Sequence, residues 1–178
     1  GKIAEIKIDN SSKNAVYKGL AIGTSDAGGT LYGANFRSGK IDTWGPGFAP
    51  VTLAGSFADS QVPAGYAPFN IWNIGNKLYV EYAKQDKDQF LDEGGPGNGY
   101  VAVFDLNGNL IHHLISGGAL NSPWGVAIAP AGWGAFGGAL LVGNFGDGRI
   151  NACDATSGAP RGTLQDTDGN PIAISGLW

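Results

Sequence analysis

The sequence contains no methionine and only one cysteine, Cys153, among its 178 residues. A single cysteine excludes an internal disulfide, a cysteine-rich zinc site and a c-type haem attachment motif. Translation starts with methionine, so a chain that opens on Gly1 is expected to have been processed or cut from a longer protein. No signal peptide is visible, and in a processed chain one could already have been removed. The cell compartment therefore stays open.

Charged residues are also few, at 15% of the chain, and acidic residues outnumber basic ones by 15 to 11. The net charge is −4, and no cluster of lysine or arginine occurs. Nucleic acids and anionic membrane surfaces both require a basic patch on the protein that binds them. The composition therefore argues against nucleic acid and against a membrane surface as partners.

No segment shows a sustained helical period of apolar residues, so we expect almost no helix. The stretch from Leu106 to Gly146 contains no Asp, Glu, Lys or Arg, and its second half is apolar. Seven glycine or proline residues lie within the 21 residues from Gly125 to Phe145. A membrane-spanning helix tolerates about one or two such residues. Short strands and turns fit this stretch better than a membrane span.

Glycine is abundant, at 31 residues, whereas aromatic residues make up 11% and apolar residues 43% of the chain. Disordered chains have few aromatic residues and high charge, and collagen has a strict three-residue glycine period. Neither pattern occurs here. The composition therefore predicts a globular protein, most consistent with an all-β fold whose turns are marked by glycine.

Three successive segments, residues 15–66, 67–120 and 121–174, carry the same order of features. Each has an apolar strand, a turn, a second apolar strand, a glycine turn and an alternating strand that ends near an aspartate. A tight turn and a fourth short strand follow, as in Leu110–Ile115 and Arg161–Leu164. Four antiparallel strands form one blade of a β-propeller. The sequence therefore predicts an all-β chain with three four-stranded propeller blades.

The repeat register extends to both ends of the chain. Lys18, Phe69 and Trp124 hold equivalent places, and residues 175–178 are expected to open a further blade. Gly1–Ile8 is predicted to be the outer strand of an earlier blade. Propellers have about four to eight blades, so three blades cannot close a ring. The chain is either a fragment of a larger propeller, which we favour, or a half-ring that another copy completes.

Three groups of residues carry a family signature. They are Ala15–Ala21 with Leu31–Phe36, Asn121–Ala127 with Leu141–Asn151, and Gly169–Ile172 with Gly176–Trp178. In these motifs the chain resembles an uncharacterised bacterial family of exported propeller proteins. Members of that family are similar to NHL and lactonase-like propellers and often carry a carboxy-terminal protein-sorting signal. The resemblance implies about six blades in a protein roughly twice this long. It also implies an extracellular or cell-surface location, and it supplies no activity.

One candidate ligand site lies where the inner strands of a propeller face the central channel. The equivalent positions are Lys18, Phe69 with Asn70, Trp124 and Trp178. Three aromatic rings and one amide would form a stacking surface for a sugar or another flat ligand. The same rings would also pack between blades, and we favour that simpler role.

A second candidate site combines amide and carboxylate oxygens, which suit Ca²⁺. Asn35, Tyr82 and Asn144 hold matched places at the end of the second strand, and Glu81 and Asp147 are close to them in sequence. Lactonase-like propellers hold a divalent ion with residues of these types, and the candidate ligands in this chain are Asn35, Glu81, Asn144 and Asp147. Asparagine at these places also caps turns through its own side chain, and we favour that role.

Two acidic segments offer weaker calcium hypotheses. Asp166–Asn170 begins like a calcium-binding loop but has Leu177 at the twelfth position, so a hairpin turn is the better interpretation. Five carboxylates lie between Glu81 and Glu93, within an insertion in the second repeat. Such a run is usually a solvated loop.

His112 and His113 are the only histidines. Adjacent residues on a strand point to opposite faces, so the two rings cannot bind one metal. We find no serine or cysteine near them in a recognisable nucleophile motif. Cys153 fits core packing better than nucleophilic catalysis.

Three functional hypotheses remain. The favoured one is a non-enzymatic exported module that has a binding or structural role, with a protein or a carbohydrate as partner. The second is a lactonase-like hydrolase that uses one divalent ion. The third is a half-propeller that associates with itself through exposed blade edges. No cofactor is evident beyond the Ca²⁺ that the oxygen ligands suit.

Overall fold

The computed structural model describes residues 3–177, which form eleven β-strands and three short 3₁₀ helices. The strands are β1 (Tyr17–Ser25), β2 (Gly28–Asn35), β3 (Lys40–Trp44), β4 (Tyr66–Ile74), β5 (Lys77–Lys84), β6 (Tyr100–Phe104), β7 (Leu110–Ser116), β8 (Pro123–Ile128), β9 (Leu140–Asn144), β10 (Ile150–Cys153) and β11 (Pro160–Thr163). The 3₁₀ helices are Ser11–Lys13, Pro46–Phe48 and Gly134–Phe136. The predicted all-β class is confirmed.

The strands form three antiparallel sheets that follow one another along the chain: β1-β2-β3, β4-β5-β6-β7 and β8-β9-β10-β11. The first strand of each sheet contacts its neighbour, β1 against β4 and β4 against β8. The sheets therefore stack side by side like propeller blades, with their first strands innermost. No helix within residues 3–177 has the length and apolar character needed to cross a membrane.

The first sheet differs from the predicted pattern because it has three strands. The segment after β3 forms one bridge, between Trp44 and Pro50, and the N–H of Val51 donates to the carbonyl of Thr43 at 3.0 Å. Proline has no N–H to give to a strand ladder, so pairing cannot extend through Pro50. Most of the outer edge of β3 is consequently left without a fourth strand.

The two ends of the described chain also lack strands. Residues 3–8, predicted as part of an outer strand, run without sheet pairing. Ala173 instead bridges to Arg149, and residues 175–176 form a turn. That these residues open a further blade stays a prediction, and Trp178 lies outside the described residues.

The apolar core lies between the sheets in three clusters. One joins the first and second sheets and includes Tyr32, Ile71 and Phe104. Another joins the second and third sheets through Val101 and Leu140. The remaining cluster draws residues from the ends of all three sheets. Successive side chains of a strand point to opposite faces of the sheet, so apolar residues can pack against the neighbouring sheet on either side.

Candidate functional site

The first strand of each sheet carries a β-bulge at the same place. The strand register skips one residue there in all three sheets. The bulged residues are Lys18, Phe69 and Trp124. A bulge turns the extra side chain away from the regular alternation of the strand. The three positions that the sequence aligned are therefore structurally equivalent.

Hydrogen bonds connect these positions across the three sheets. The indole Nε1 of Trp124 donates to the carbonyl of Lys18 at 3.1 Å. The side-chain Nδ2 of Asn70 donates to the carbonyl of Trp124, which also accepts a bond from the indole Nε1 of Trp72 at 3.3 Å. The structure thus brings together the predicted residues Lys18, Asn70 and Trp124.

An aromatic cluster with one phenylalanine from each repeat lies beside these bonds. The ring centroids of Phe36 and Phe69 are 5.3 Å apart, and those of Phe69 and Phe145 are 6.1 Å apart. The ammonium group of Lys18 lies 5.9 Å from the centroid of Phe36. Phe69 and Asn70 are buried, whereas Lys18 and Trp124 remain half-buried. The geometry therefore supports packing by Phe69, and ligand binding at these positions stays a prediction.

The predicted calcium ligands lie in separate local networks. Asn35 donates through Nδ2 to Asp42 at 2.9 Å and accepts from the N–H of Val16 at 3.2 Å. Asn144 donates through Nδ2 to Asp147 at 3.1 Å. Asn144 thus organises the turn after its own strand, and Asn35 does so by accepting from the N–H of Ser38 at 3.4 Å. Within residues 3–177 no three His, Cys, Asp or Glu residues are grouped so as to hold a metal. Calcium binding stays a prediction.

The remaining predicted ligand, Glu81, is fully buried on β5. It lies opposite Asn70 and Val101, and the equivalent residues of the first and third sheets are Ala34 and Gly143. Neither carboxyl oxygen has a hydrogen-bond partner within residues 3–177. Burial raises the pKa of Glu81 well above its ordinary value of 4.5, because the charged form loses its hydration.

The variant Glu81→Gln is expected to reduce the pH dependence of stability. Since the pKa of Glu81 is raised in the folded state, the folded chain binds more protons than the unfolded chain above pH 4.5. The contribution of Glu81 to the free energy of unfolding is therefore largest below the pKa of the unfolded state. It falls as the pH rises towards the higher pKa of the folded state. We expect a Tm about 2–6 °C higher for the variant than for the wild type at pH 8, and a smaller difference at pH 5.

The matched control for this experiment is Glu93→Gln. Glu93 is half-exposed and pairs with Lys84 at 2.7 Å. Thermal unfolding is followed by circular dichroism at pH 5 and at pH 8. Between these two pH values the Tm of the control should fall by as much as that of the wild type. An equal fall in Glu81→Gln would contradict the assignment of the pH dependence to Glu81.

A groove of about 760 Å³ with a mixed polar and apolar lining lies beside the outer edge of β3. Its charged residues are Lys13, Lys40 and Asp42. Asp42 accepts a hydrogen bond from the hydroxyl of Tyr17 at 2.6 Å. Burial, together with this bond, raises the pKa of Tyr17 to about 12. The carboxylate of Asp42 is therefore engaged, which leaves the two lysines as the remaining charges of the groove.

The structure places a carboxylate and a serine beside His113, although the sequence shows no recognisable nucleophile motif there. The Nδ1 atom of His113 lies 2.5 Å from Oδ2 of Asp59, and its Nε2 atom lies 2.6 Å from Oγ of Ser116. Asp59 is 54 residues from His113 in sequence, so no local sequence motif predicts this contact. The sequence did contain one signal, the two glycines that directly follow Ser116.

No protein-family model matches the chain. Three uncharacterised proteins of Acanthamoeba polyphaga mimivirus are similar to it, at 41% identity over 170 residues, 40% over 167 and 34% over 174. The matches cover 92%, 91% and 96% of this chain, but 43%, 40% and 32% of the relatives. The chain thus spans less than half the length of these curated relatives. Because the relatives are viral, the bacterial source and the export that the resemblance implied are not confirmed.

Three solved structures are distantly similar to the chain. A protein of unknown function from Bacteroides caccae has a TM-score of 0.48 at 9% identity, with 92% of this chain and 47% of that chain covered. Glutaminyl cyclase from Myxococcus xanthus has a TM-score of 0.38 at 12% identity, with 87% and 72% covered. A protein from Lactobacillus plantarum has 0.35 at 14%, with 89% and 55% covered. At these scores the similarities support no functional conclusion.

Proposed function

We propose that the chain is a structural module that binds a second copy of itself through the two free faces of its outer sheets. The proposal rests on an interface that is used twice within the chain. Leu20, Ile71 and Val126 each lie two residues after the bulge of their strand. Ile71 and Val126 pack against the preceding sheet and are 0% and 7% exposed, whereas Leu20 is 62% exposed.

The opposite face of each sheet shows the complementary pattern. Tyr32, Tyr79 and Leu141 are equivalent residues of the second strands. Tyr32 packs in the same cluster as Ile71, and Tyr79 in the same cluster as Val126. No sheet follows that of Leu141 within residues 3–177, and Leu141 is partly exposed. The first sheet therefore exposes Leu20, the residue equivalent to Ile71. The third sheet exposes Leu141, the residue equivalent to Tyr32.

Both free faces have the apolar character that such an interface needs. Beside Leu20 on β1, Ile22 is 71% exposed. On the third sheet, an apolar groove of about 270 Å³ is lined by Trp72, Leu141, Ile150 and other apolar residues. Fully burying one leucine or isoleucine stabilises an interface by about 1.5–3 kcal/mol. Burying both faces in one interface each would therefore stabilise the association of two copies.

A second copy would satisfy both faces at once. Two copies related by a two-fold axis would form two head-to-tail interfaces and six blades, which lies within the range of about four to eight blades in closed rings. In a longer protein, further blades of the same chain would cover the same faces. This arrangement supports the half-propeller hypothesis and gives the module its structural role.

Light scattering coupled to size exclusion tests the proposal. The wild-type chain should approach twice its 18.3 kDa mass as concentration rises. Leu20→Glu should stay monomeric, because a carboxylate would be buried at the interface. Leu110→Glu is the matched control, since Leu110 is exposed on the outer strand β7, away from both free faces. A wild-type chain that stays monomeric at every concentration would contradict the proposal.

A further inference from the structure

We infer that Asp59, His113 and Ser116 form a serine hydrolase centre that cleaves carboxylic esters, an activity separate from the assembly proposed above. The three side chains follow the order carboxylate, imidazole, hydroxyl that activates a serine for attack on a carbonyl. Such a centre is recognised by geometry rather than by residue order along the chain. In this chain the aspartate comes first and the serine last.

The distances and the burial of the three groups match their roles. Both hydrogen bonds of the His113 ring are short, 2.5 Å to Asp59 and 2.6 Å to Ser116. The side chains of Asp59 and His113 are 1% and 8% exposed, whereas Ser116 is exposed. The aspartate and the imidazole are therefore shielded from water, and the hydroxyl remains open to a substrate.

The loop that carries Asp59 holds its carboxylate in place. The Oδ1 atom accepts a hydrogen bond from the N–H of Gln61 at 2.9 Å, which leaves Oδ2 for the ring of His113. A carboxylate on Nδ1 keeps the ring proton there, so the lone pair of Nε2 accepts the hydroxyl proton of Ser116. Asp59 thus acts as a positioning residue for the imidazole.

A β-bulge brings His113 and Ser116 to the same side of β7. Three positions apart on a regular strand, the two side chains would point to opposite faces. The register between β6 and β7 skips Leu114, because Val101 pairs with Ile115 and Ala102 pairs with His113. The extra residue reverses the alternation. Bulges of this kind are frequent next to active sites, where they redirect a side chain.

Two glycines directly after Ser116 provide a backbone donor for an oxyanion. Gly117 and Gly118 both have positive φ, 54° and 62°. The N–H of Gly117 donates to the carbonyl of Gly99 at 2.9 Å, whereas the N–H of Gly118 reaches no acceptor among residues 3–177. A backbone N–H group that has no other acceptor can stabilise a developing oxyanion. We assign the N–H of Gly118 to the developing oxyanion of the substrate.

The reaction needs only the ester and water. Oγ of Ser116 attacks the carbonyl carbon while its proton passes to Nε2 of His113. The bond to the leaving alcohol then breaks, and the alcohol oxygen takes the proton from Nε2, which leaves an acyl group on Ser116. Water attacks this acyl group and gives its proton to Nε2. The bond to Oγ breaks, Oγ regains the proton, and a carboxylic acid is released.

The surroundings of Ser116 favour esters with an aromatic part. Ser116 ends β7 at the surface, so the ester carbonyl reaches it from solvent. The ring of Tyr100 lies 6.2 Å from that of His113 and is half-buried. An aromatic leaving group can pack against such a ring. The ester p-nitrophenyl acetate has an aromatic leaving group and serves as the probe.

Hydrolysis of p-nitrophenyl acetate by the full chain tests the centre. Ser116→Ala and His113→Gln should each lower kcat/KM by about 100-fold or more. His112→Gln is the matched control, because His112 is the exposed neighbour on the same strand. The control should keep the wild-type rate. Equal rates in the wild type and in Ser116→Ala would overturn the proposal.

Covalent labelling makes the test independent of turnover. Diisopropyl fluorophosphate should form a phosphorus–oxygen bond with Oγ of Ser116 and release fluoride, and peptide mass spectrometry should place the label on Ser116. His113→Gln should lose the label, and His112→Gln should keep it. Labelling spread evenly over the exposed serines, or none at all, would contradict an activated Ser116.

The positioning role of Asp59 has its own signature. Asp59→Asn should lower kcat by about 100-fold with little change in KM, since the imidazole would adopt the wrong tautomer while the binding surface stays intact. Asp59→Glu should recover part of kcat. A Tm within a few degrees of the wild type for both variants would confirm that they fold. Unchanged kcat in Asp59→Asn would show that the aspartate does not act through His113.

Discussion

Replacing Phe69 by alanine is expected to lower the free energy of unfolding by about 3–5 kcal/mol. Phe69 is 1% exposed and belongs to the cluster that draws residues from all three sheets. Its ring contacts those of Phe36 and Phe145, one from each of the other repeats. The variant would leave a cavity where the three sheets meet, and few neighbours could move to fill it.

Urea unfolding at equilibrium measures this loss. Phe48→Ala is the matched control, because Phe48 is 42% exposed at the end of the 3₁₀ helix that follows β3. The control should change the free energy of unfolding by less than about 1 kcal/mol. Equal losses in the two variants would show that Phe69 has no special place in the core.

Replacing Gly19 by alanine is expected to cost about 3 kcal/mol of stability. A Cβ atom at this position would lie 1.8 Å from Oδ1 and 2.8 Å from Cα of Asn70. The side chain of Asn70 cannot simply rotate away, because it donates to the carbonyl of Trp124. The close contact with the Cα atom would also push β1 away from β4. Sheet packing and the hydrogen bond between sheets would both weaken.

The equivalent glycine of the third sheet provides the control. Gly125 follows the same bulge, but a Cβ atom there would meet no atom within 4 Å. Gly125→Ala should therefore change the free energy of unfolding by less than about 1 kcal/mol. Thermal and urea unfolding measure the loss of stability that the same glycine-to-alanine substitution causes at these two equivalent positions. Similar losses in both would contradict the close approach of β1 and β4.

Much of the architecture follows from local sequence signals. Three repeats with matched strands predict three sheets, and the turns with Asn107-Gly108 and Asp168-Gly169 lie outside strands as expected. Both turn glycines have positive φ, which asparagine–glycine and aspartate–glycine turns favour. The equivalence of Lys18, Phe69 and Trp124 also follows from spacing alone. Turn and strand signals of this kind lie within one repeat, so a single sequence is sufficient to predict the strands and turns.

The rest depends on features that spacing cannot reveal. A regular strand would separate His113 from Ser116, and only the bulge at Leu114 brings them together. Asp59 reaches them through a long loop whose path depends on tertiary packing. The burial of Glu81 likewise depends on the third sheet, which packs on the face that Glu81 shares with Val101. Such contacts arise between repeats rather than within one.

Cysteine trapping tests the proposed assembly most directly. The native cysteine, Cys153, is 5% exposed, so introduced thiols would be the accessible ones. Within the chain, the positions equivalent to Leu20 and Leu141 pack together in both interfaces. Oxidising a mixture of Leu20→Cys and Leu141→Cys chains should therefore give a covalent dimer, whereas either variant alone should give little. A mixture that gives no more dimer than the single variants would contradict the assembly of blades face to face.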